Sequence, residues 1–406
     1  VEKEFSIDEF GRRLENLFEG ILTPWQRVPD NMRRILYISP FSHIGGGEVS
    51  ILTVIANLKK EMFHPVLVCY EEGPFVARAR RSGIETIVFR RAGLMSEFSI
   101  IWKLVRYIKE KKICLVHVNS LDIRAGIAAW LAGIPFIGHL RVIFPLTWRD
   151  RFFVRLSIFT IAVSEAAADE FCKYSEDYRN KFIVIPNTAD IPPEVRAAPL
   201  RSEFNIPAPA VLVGMAGRMD PFKGHTVFID AAPLIRKGAP QAWFFIIGGA
   251  APGKGDEAEY LKTLKKRIRG LGLTDSFIFT GFRDDILSVI AALDVMVVPS
   301  CVIRKGARIV TEGFGRVAIE AMAIGVPVVV SNAGGLKEII EPGVSGLLVP
   351  TGDSAAVAEA VIGLLRDRKK ADAIRAAAKS RFEALYSTRS LDKLYNVYDD
   401  VIGKER

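Results

Sequence analysis

The residues best suited to bind a charged ligand lie where a loop leads into a helix. Glu312, Gly313 and Gly315 precede the stretch RVAIEAMA, which has helical spacing, and Glu320 is the fifth residue of that stretch. A helix N-terminus offers unpaired amides and about half a positive charge, and glycine lets the backbone approach a phosphate. Glu320 would lie roughly 8 Å further along the axis. The pattern predicts a ligand with hydroxyls on both sides of a phosphate, as in a nucleotide sugar.

The elements that position these residues follow a simple rhythm. From Arg34 onward, short apolar runs alternate with amphipathic stretches such as EVSILTVIANLKK. Runs that are apolar on both faces suit strands buried between helices in a parallel sheet. The rhythm stops in a Pro-rich stretch near 186–208 and then restarts, which predicts two doubly wound α/β units. Gly334 and Gly335 follow one strand at its carboxyl end, where such sheets bind ligands. The predicted strands are RILYIS, PVLVCY, ETIVF, ICLVHV, PFIGH, FTIAVS, VLVGMAG, WFFIIGG, FIFTG, VMVVPS, VPVVVS and GLLVP.

The domain boundaries follow from these patterns. We expect an N-terminal helical extension (1–31), a first α/β domain (32–190), a linker (191–208), a second α/β domain (209–386) and a final helix (387–406). The extension contains the amphipathic segment FSIDEFGRRLENLFEGI with Ser6 and Glu9 spaced as a capping box. Two interpretations of this extension remain open: it is an optional segment before a natural start at Met32, or it is a helix packed on its own domain.

Composition limits the class of protein. Half of the 406 residues are hydrophobic and a quarter are charged, the usual globular mix. The longest apolar runs match a strand rather than the ~20 residues of a membrane span, and no charged leader with an apolar core opens the chain. The four cysteines form no CxxC pair. We therefore expect a soluble cytoplasmic protein. Its net charge of +9 is compatible with anionic ligands and does not choose among them.

Several ordered motifs identify a family. The run from Glu312 through Glu320, AMAxGxPVV, GG, EII and GxxGxLVP closely resembles the retaining family 4 glycosyltransferases. GRMDPFKGHTVFIDAA, IPNTAD (185–190) and IGGGEV (44–49) resemble further motifs of that family, although Thr188 and Ala189 depart from its IPNGVD. The resemblance implies a GT-B fold of two Rossmann-like domains facing across a cleft. It makes 32–190 the acceptor domain and 209–386 the donor-binding domain, with the final helix crossing back to the acceptor domain. It also implies sugar transfer from a nucleotide-sugar donor, with no metal and no resident cofactor.

The resemblance also assigns roles to particular residues. Arg218 and Lys223 match the pair that holds the donor diphosphate, and Glu320 matches the residue that binds the ribose hydroxyls. Glu312 matches the acid near the donor sugar. His139 resembles a histidine that the family places beside that sugar. The backbone contacts implied for the donor come from two loops: Gly313, Phe314 and Gly315 in the second domain, and Gly46 and Gly47 in the first.

One insertion and one acidic pair need a separate interpretation. CVIRKGARIVT (301–311) is longer than the family's usual connection and could reshape the donor-sugar pocket. Asp284 and Asp285 are adjacent rather than spaced as Asp-x-Asp, which predicts a pair at a helix N-terminus. Since no second carboxylate is placed as a nucleophile, we favour front-face transfer in which the departing phosphate takes the acceptor proton.

Three other classes of protein remain for comparison. A nicotinamide dehydrogenase is disfavoured, because no strand is followed by G-x-G-x-x-G. A GT-B nucleotide-sugar epimerase or hydrolase shares the fold and the donor. A non-catalytic nucleotide-sugar-binding protein is disfavoured by the intact set of Arg218, Lys223, Glu312 and Glu320. The motifs do not specify the base, the sugar, the acceptor or the linkage.

Basic stretches in the first domain suggest where the acceptor comes from. Residues 78–112 contain ten Lys and Arg against three Glu, and SIIWKLVRYIKEKK within them is amphipathic. TWRDRFFVRLSIF (147–159) again mixes arginine with aromatic residues. Such surfaces suit docking on anionic lipid and a lipid-linked or cell-envelope glycan acceptor; the alternative is that both are ordinary helices packed on the sheet. Nucleic acid is not expected, because no RNA or DNA motif accompanies the charge.

Overall fold

The computed structural model describes residues 33–90, 96–173, 176–249, 255–305 and 308–403. The predicted extension 1–31, with its capping box, lies outside the described residues. Contacts divide the chain into two compact units. Within the described residues, the first unit contains 33–141, Pro145–Pro186 and 391–403, and the second contains Val142–Phe144 and Asn187–Ser390.

The strands coincide with the apolar runs of the sequence, and all twelve predicted strands are confirmed. The structure adds Phe182–Val184 and a hairpin, which are too short for their periodicity to be detected. The strands are β1 (Arg33–Ser39), β2 (Phe63–Cys69), β3 (Glu85–Val88), β4 (Ile113–Val118), β5 (Phe136–Leu140), β6 (Phe159–Ala162), β7 (Phe182–Val184), β8 (Val211–Ala216), β9 (Ala242–Ile247), β10 (Phe277–Gly281), β11 (Val295–Val298), β12 (Ile303–Lys305), β13 (Arg308–Val310), β14 (Val328–Ser331) and β15 (Leu347–Val349).

The helices fill the intervals between these strands. The α-helices are α1 (Gly46–Ala56), α2 (Pro74–Arg81), α3 (Ser96–Glu110), α4 (Ile123–Ala132), α5 (Trp148–Leu156), α6 (Glu165–Cys172), α7 (Leu200–Glu203), α8 (His225–Gly238), α9 (Gly255–Gly270), α10 (Ile286–Ala291), α11 (Arg316–Ile324), α12 (Leu336–Ile339), α13 (Ser354–Arg366), α14 (Arg368–Leu385) and α15 (Asp392–Gly403). Short 3₁₀ segments cover Glu176–Lys181, Pro221–Lys223, Thr274–Ser276 and Thr388–Leu391.

The first unit is built on one parallel sheet. Its strand order is β3-β2-β1-β4-β5-β6-β7, and neighbouring strands pair in parallel. The interior strand β1 is fully buried from Ile35 to Ile38, as expected for a strand covered by helices on both faces. Tyr37 of β1 lies directly opposite His117 of β4, so both side chains point to the same face of the sheet.

The last helix of the chain completes the core of the first unit. Leu394, Tyr398 and Val401 of α15 are buried in the same hydrophobic cluster as residues of β1 and β2. The Tyr398 ring meets the Phe63 ring edge-on, with centroids 6.0 Å apart. The burial of an apolar helix face supplies most of the stability of such a helix, so α15 is held in the first unit by this contact.

The second unit has its own parallel sheet, of order β10-β9-β8-β11-β14-β15. Helices α8 and α13 pack on it with the buried residues Phe228 and Val361. The predicted linker 191–208 contains α7. The long connection noted in the sequence is an antiparallel hairpin of β12 and β13, with Arg304 opposite Ile309. These two doubly wound sheets confirm the predicted α/β class.

Helix α3 has an apolar side that is partly buried and partly exposed. Leu104, Val105 and Ile108 are buried, so the apolar side recognised in the sequence packs inside the first unit. Phe98 and Trp102, one helical turn apart at the edge of this apolar side, are 64% and 63% exposed. Among the helices of the described residues, none combines the length and the apolar character that crossing a bilayer requires.

Acid should destabilise the second unit through His225, at the start of α8. The side chain is fully buried, and burial, with a smaller contribution from Lys223, lowers its pKa to about 4. In the unfolded chain, histidine takes up a proton near pH 6.5. Stability is therefore lost as the pH falls from 6.5 towards 4, by about 2 kcal/mol at pH 5 for this residue.

The measurement is urea unfolding of the wild type and the His225→Gln variant at pH 7 and pH 5. The variant should lose less stability than the wild type over this interval, and the pH 7 data control for the cost of the substitution itself. An equal loss in both proteins would contradict a neutral, buried His225.

Candidate functional site

The turn that leads into α11 is set by Gly315. Its φ of +103° lies in the left-handed region, and a Cβ there would come 2.2 Å from Leu336 Cδ2. Only glycine fits such a position without displacing its neighbours. Gly315 is the N-cap residue of α11, and no side chain of the described residues caps this helix. The positive end of the helix is therefore available to an anion.

Glu312, in the loop before this turn, forms an ion pair with Lys223. Lys223 Nζ lies 2.6 Å from Glu312 Oε2, and the two side chains are only 20% and 12% exposed. Ser300 Oγ, at the end of the β11 strand region, donates to the same carboxylate oxygen over 3.3 Å. Because partial burial strengthens such charge-assisted bonds, both side chains are held in fixed positions. The structure thus brings together two of the residues predicted for the donor site.

The backbone of Glu312 is fixed as tightly as its side chain. Its carbonyl oxygen accepts a hydrogen bond of 3.0 Å from the Gly335 amide. A Cβ on Gly334, whose φ is +51°, would lie 1.9 Å from the same oxygen. The second pair of glycines therefore allows two loops of the second unit to meet backbone to backbone, which explains why glycine is needed there.

Lys223 and Arg218 belong to one loop that follows β8. Lys223 ends the 3₁₀ segment Pro221–Lys223, and the Asp220 side chain caps the Phe222 amide over 3.3 Å. The Lys223 side chain passes within 3.4 Å of the Cβ position of Gly217, the residue before the partly exposed Arg218. This short, capped loop places two cations close together in the chain.

Glu320 is paired inside its own helix. Its Oε1 accepts a bond of 2.7 Å from Arg316 Nε, four residues earlier, and the Glu320 residue is 8% exposed. Arg316 Nη1 also donates to the carbonyl oxygen of Thr188 over 3.0 Å. The contact of Thr188 is made by its backbone, so its departure from the family pattern leaves this bond intact. Arg316 orients the Glu320 carboxylate that was predicted to bind ribose.

Phe314 and Gly313 contribute to the loop in a different way from the acids. The Phe314 ring is 4% exposed and meets the Tyr386 ring edge-on, with centroids 5.8 Å apart. Its side chain therefore anchors the loop to the second unit. Contact of Phe314 with a ligand is left to its backbone, as predicted for residues 313–315.

In the first unit, Gly46 and Gly47 are the first two residues of α1. Gly45 is the N-cap residue, and no side chain of the described residues caps this helix either. Asn119 Nδ2 donates to the Gly47 carbonyl oxygen over 3.4 Å, and a Cβ on Gly47 would lie 3.2 Å from Arg141 Cδ. The predicted glycine loop thus starts a helix, with a guanidinium side chain beside it.

His139, at the end of β5, is buried next to a second histidine. Its Nδ1 lies 3.1 Å from His117 Nε2 and 3.1 Å from Arg141 Nη2. Burial, followed by the positive charge of Arg141, holds the pKa of His139 well below its usual value. The imidazole is therefore neutral, and in the part of the chain that the structure describes its Nε2 has no hydrogen-bond partner.

Sequence reasoning missed several residues that hold these side chains. Arg316 carried a local signal, since its spacing of four from Glu320 places the two on one helix face. Asn119, Arg141 and His117 carried none: they follow or lie within strands that are far apart in the sequence. The position of His117 beside His139 depends on the pairing of β4 with β5.

The adjacent acids 284 and 285 behave as predicted for a helix start. Asp285 is the N-cap residue of α10 and pairs with Arg283 at 2.8 Å. The bond from Arg283 lowers the pKa of the Asp285 carboxyl. Within the described residues, no group of three or more His, Cys, Asp or Glu side chains is arranged to hold a metal ion.

Two family models match this chain. Residues 198–381 match the model described as glycosyl transferases group 1, and residues 44–191 match the model described as glycosyltransferase family 4. Together they span most of both units. The resemblance drawn from the motifs is thereby confirmed.

Curated relatives are similar over all or part of the chain. A UDP-Gal:alpha-D-GlcNAc-diphosphoundecaprenol alpha-1,3-galactosyltransferase of Escherichia coli is 24% identical over 393 residues, which are 91% of this chain and 97% of that protein. A GDP-mannose-dependent alpha-(1-6)-phosphatidylinositol monomannoside mannosyltransferase of Mycobacterium tuberculosis is 35% identical over 190 residues. That match spans 46% of each chain.

The solved structures include a similar protein from Anabaena. Alr3699/HepE, crystallised in complex with UDP and glucose, is 26% identical with a TM-score of 0.79. The match covers 91% of this chain and 100% of that one. The predicted GT-B class of two Rossmann-like domains is confirmed at the level of the two sheets.

Two variants distinguish the effect of the Gly334–Glu312 contact from the effect of backbone strain alone. Gly334→Ala and Gly343→Ala both place a side chain at a positive φ, but the Cβ on Gly343 meets nothing within 4 Å. Each should lose about 1–2 kcal/mol of stability from the left-handed conformation. Only Gly334→Ala should also displace the Glu312 loop, by its clash with the carbonyl oxygen.

Thermal-shift titration with nucleoside diphosphates measures this difference. We expect Gly334→Ala to lose most of the stabilisation that the best ligand gives the wild type, and Gly343→Ala to keep it. Equal ligand shifts in the two variants would show that the position of Glu312 does not matter for binding.

Proposed function

Since this chain belongs to the family 4, group 1 glycosyltransferases, we propose that it transfers a sugar from a nucleotide-sugar donor to a lipid-linked or cell-envelope glycan, with retention of anomeric configuration. One observation carries the proposal: the Lys223–Glu312 ion pair of 2.6 Å in the loop before the uncapped start of α11. A cation, an acid and a helix N-terminus within one unit suit a ligand with a diphosphate and a sugar.

The donor would bind to the second unit through its diphosphate. Lys223, Arg218 and the first amides of α11 supply positive charge without a metal ion, and the nucleotide sugar is a substrate rather than a cofactor. Glu320, oriented by Arg316, would accept hydrogen bonds from the ribose hydroxyls. Glu312 would accept a hydrogen bond from a hydroxyl of the donor sugar, while Lys223 turns from the carboxylate towards phosphate.

The chemistry follows from where charge develops. The bond from the sugar C1 to the phosphate oxygen breaks, and negative charge builds on the diphosphate, where Lys223 and Arg218 stabilise it. The acceptor hydroxyl attacks C1 on the face that the diphosphate leaves, which retains configuration. Its proton passes to the departing phosphate oxygen. Donors aimed at a developing oxyanion are typically worth about 10²–10³ in rate each.

The nature of the acceptor is proposed from the relatives and from the surface of the first unit. The names of the E. coli and M. tuberculosis relatives both specify a lipid-linked acceptor. In this chain, Phe98 and Trp102 of α3 are mostly exposed, and Lys103 and Lys109 on the same helix are also exposed. We propose that this aromatic pair and its lysines dock on an anionic, cytoplasmic membrane surface, where each cation adds about 1 kcal/mol.

Donor binding and transfer are tested by one series of variants. A thermal-shift panel of nucleoside diphosphates and nucleotide sugars identifies the base, because a ligand at 100 times its Kd stabilises by about 2.7 kcal/mol. Lys223→Met and Glu320→Gln should then each weaken donor binding about tenfold or more, since a hydrogen bond to a charged group contributes about 1.5–3 kcal/mol. NMR of the product compares its anomeric configuration with that of the donor.

Lys262→Met and Glu359→Gln, two substitutions of exposed helix residues in the same unit, serve as matched controls. Unchanged donor binding in both site variants would remove the donor-site assignment. An inverted product would refute retention, and donor breakdown without any transfer would point to a hydrolase.

Membrane docking is tested by flotation with vesicles. The double variant Phe98→Ser, Trp102→Ser should lose binding to phosphatidylglycerol vesicles, because the exposed rings supply the apolar part of the contact. Phe282→Ser, at a 58% exposed ring of the second unit, is the control. Binding should weaken in high salt and be weaker on phosphatidylcholine. Equal flotation of the double variant and the control would exclude docking through α3.

A further inference from the structure

The neutral histidine of the first unit is part of a longer buried chain of hydrogen bonds. His117 Nδ1 lies 2.6 Å from the Tyr398 hydroxyl, and that hydroxyl lies 3.2 Å from the hydroxyl of Tyr37. Tyr37, His117 and His139 come from β1, β4 and β5, which are neighbours in the sheet, and Tyr398 comes from α15. All four residues are at most 3% exposed. This series of hydrogen bonds therefore connects the last helix to His139, a predicted site residue, through the interior of one unit.

The direction of every hydrogen bond in this chain follows from Arg141. A guanidinium has donors and no acceptor, so His139 Nδ1, 3.1 Å from Arg141 Nη2, must accept. A neutral imidazole that accepts at Nδ1 carries its hydrogen on Nε2. His117 Nε2, 3.1 Å from the same accepting nitrogen, must then donate. The two donors share one acceptor nitrogen.

The same reasoning continues to the tyrosines. His117 is also neutral, because complete burial and then the charge of Arg141 hold its pKa well below the usual value. A neutral His117 that donates from Nε2 accepts at Nδ1, so the Tyr398 hydroxyl donates to it. The Tyr398 oxygen then accepts from Tyr37. Each group of the chain has one consistent role, and the free end is the Nε2–H of His139.

We propose that Arg141, His117 and Tyr398 are positioning residues: Arg141 and His117 hold His139 as a neutral imidazole with its hydrogen on Nε2, ready to donate to an oxygen of a substrate, and Tyr398 holds His117. A buried donor without a partner costs stability, and among the described residues His139 Nε2 has none. Such a cost is expected where a polar group is reserved for a ligand. His139 would then act as a hydrogen-bond donor and not as a general base. The role toward the ligand rests on the proposed function.

The arrangement of hydrogens can be tested without any substrate. ¹⁵N-detected NMR of the histidine rings distinguishes the two neutral tautomers and the imidazolium, and the chain has only five histidines. The signals are assigned with His117→Gln and His139→Gln. We expect His139 and His117 both to be protonated on Nε2 at neutral pH. Hydrogen on Nδ1 of His139, or an imidazolium, would overturn the proposal whether or not the protein proves to be a glycosyltransferase.

The role of Tyr398 is tested by removing one oxygen atom. Tyr398→Phe keeps the ring that packs on Phe63 and deletes the donor to His117. Tyr395→Phe is the matched control on the same helix, because the Tyr395 hydroxyl bonds to the Asn57 carbonyl oxygen instead. The ¹⁵N signal of the His117 Nδ1 atom should shift only in Tyr398→Phe, because this variant alone removes the hydrogen bond to that nitrogen. An unchanged Nδ1 signal in that variant would refute the positioning role of Tyr398.

Activity gives a second, independent measurement. With the donor and acceptor identified, Tyr398→Phe should lower kcat about fivefold, the equivalent of one ordinary hydrogen bond, and leave the KM for the donor unchanged. Tyr395→Phe should leave both constants unchanged. An equal kcat in the two variants would show that this series of hydrogen bonds does not contribute to sugar transfer. Absence of transfer in the wild type would count against the proposed function alone.

Discussion

The ion pair of Lys223 with Glu312 organises the second unit's candidate site. An ammonium group this far from solvent needs a negative partner, and the carboxylate needs the ammonium and the Ser300 hydroxyl for the same reason. The pair therefore fixes two loops that are 89 residues apart in the sequence. The Glu312 carbonyl holds a third loop through Gly335. A phosphate that binds as proposed would exchange this ion pair for its own contact with Lys223.

In the first unit, the Arg141 guanidinium fixes the directions of hydrogen bonds rather than the positions of loops. Arg141 donates to Asn119 over 2.5 Å and to His139 over 3.1 Å, and because it cannot accept, it sets the direction of the bonds beyond it. Burial keeps both histidines neutral, which makes each of them a donor on one side and an acceptor on the other. The sequence-distant Tyr398 is thereby linked to the end of β5.

Helix α3 shows that an amphipathic pattern does not by itself tell what an apolar helix surface packs against. Its apolar stripe of Leu104, Val105 and Ile108 packs inside the unit, as most such stripes do. The exposed aromatic pair, Phe98 and Trp102, lies at the edge of this stripe and is the part of the helix that stays uncovered in the unit.

By itself the sequence determined the α/β class, the strands and the motif residues of both units, because buried parallel strands are continuous apolar runs and glycine is required wherever backbone meets backbone. It also contained the Arg316–Glu320 pair, since residues four apart on a helix are neighbours. Only the tertiary structure decided that Tyr398 meets His117 across 281 residues, that residues 303–310 form a hairpin, and which face of α3 is buried. Such contacts arise from the pairing of strands and the docking of helices, which no local spacing encodes.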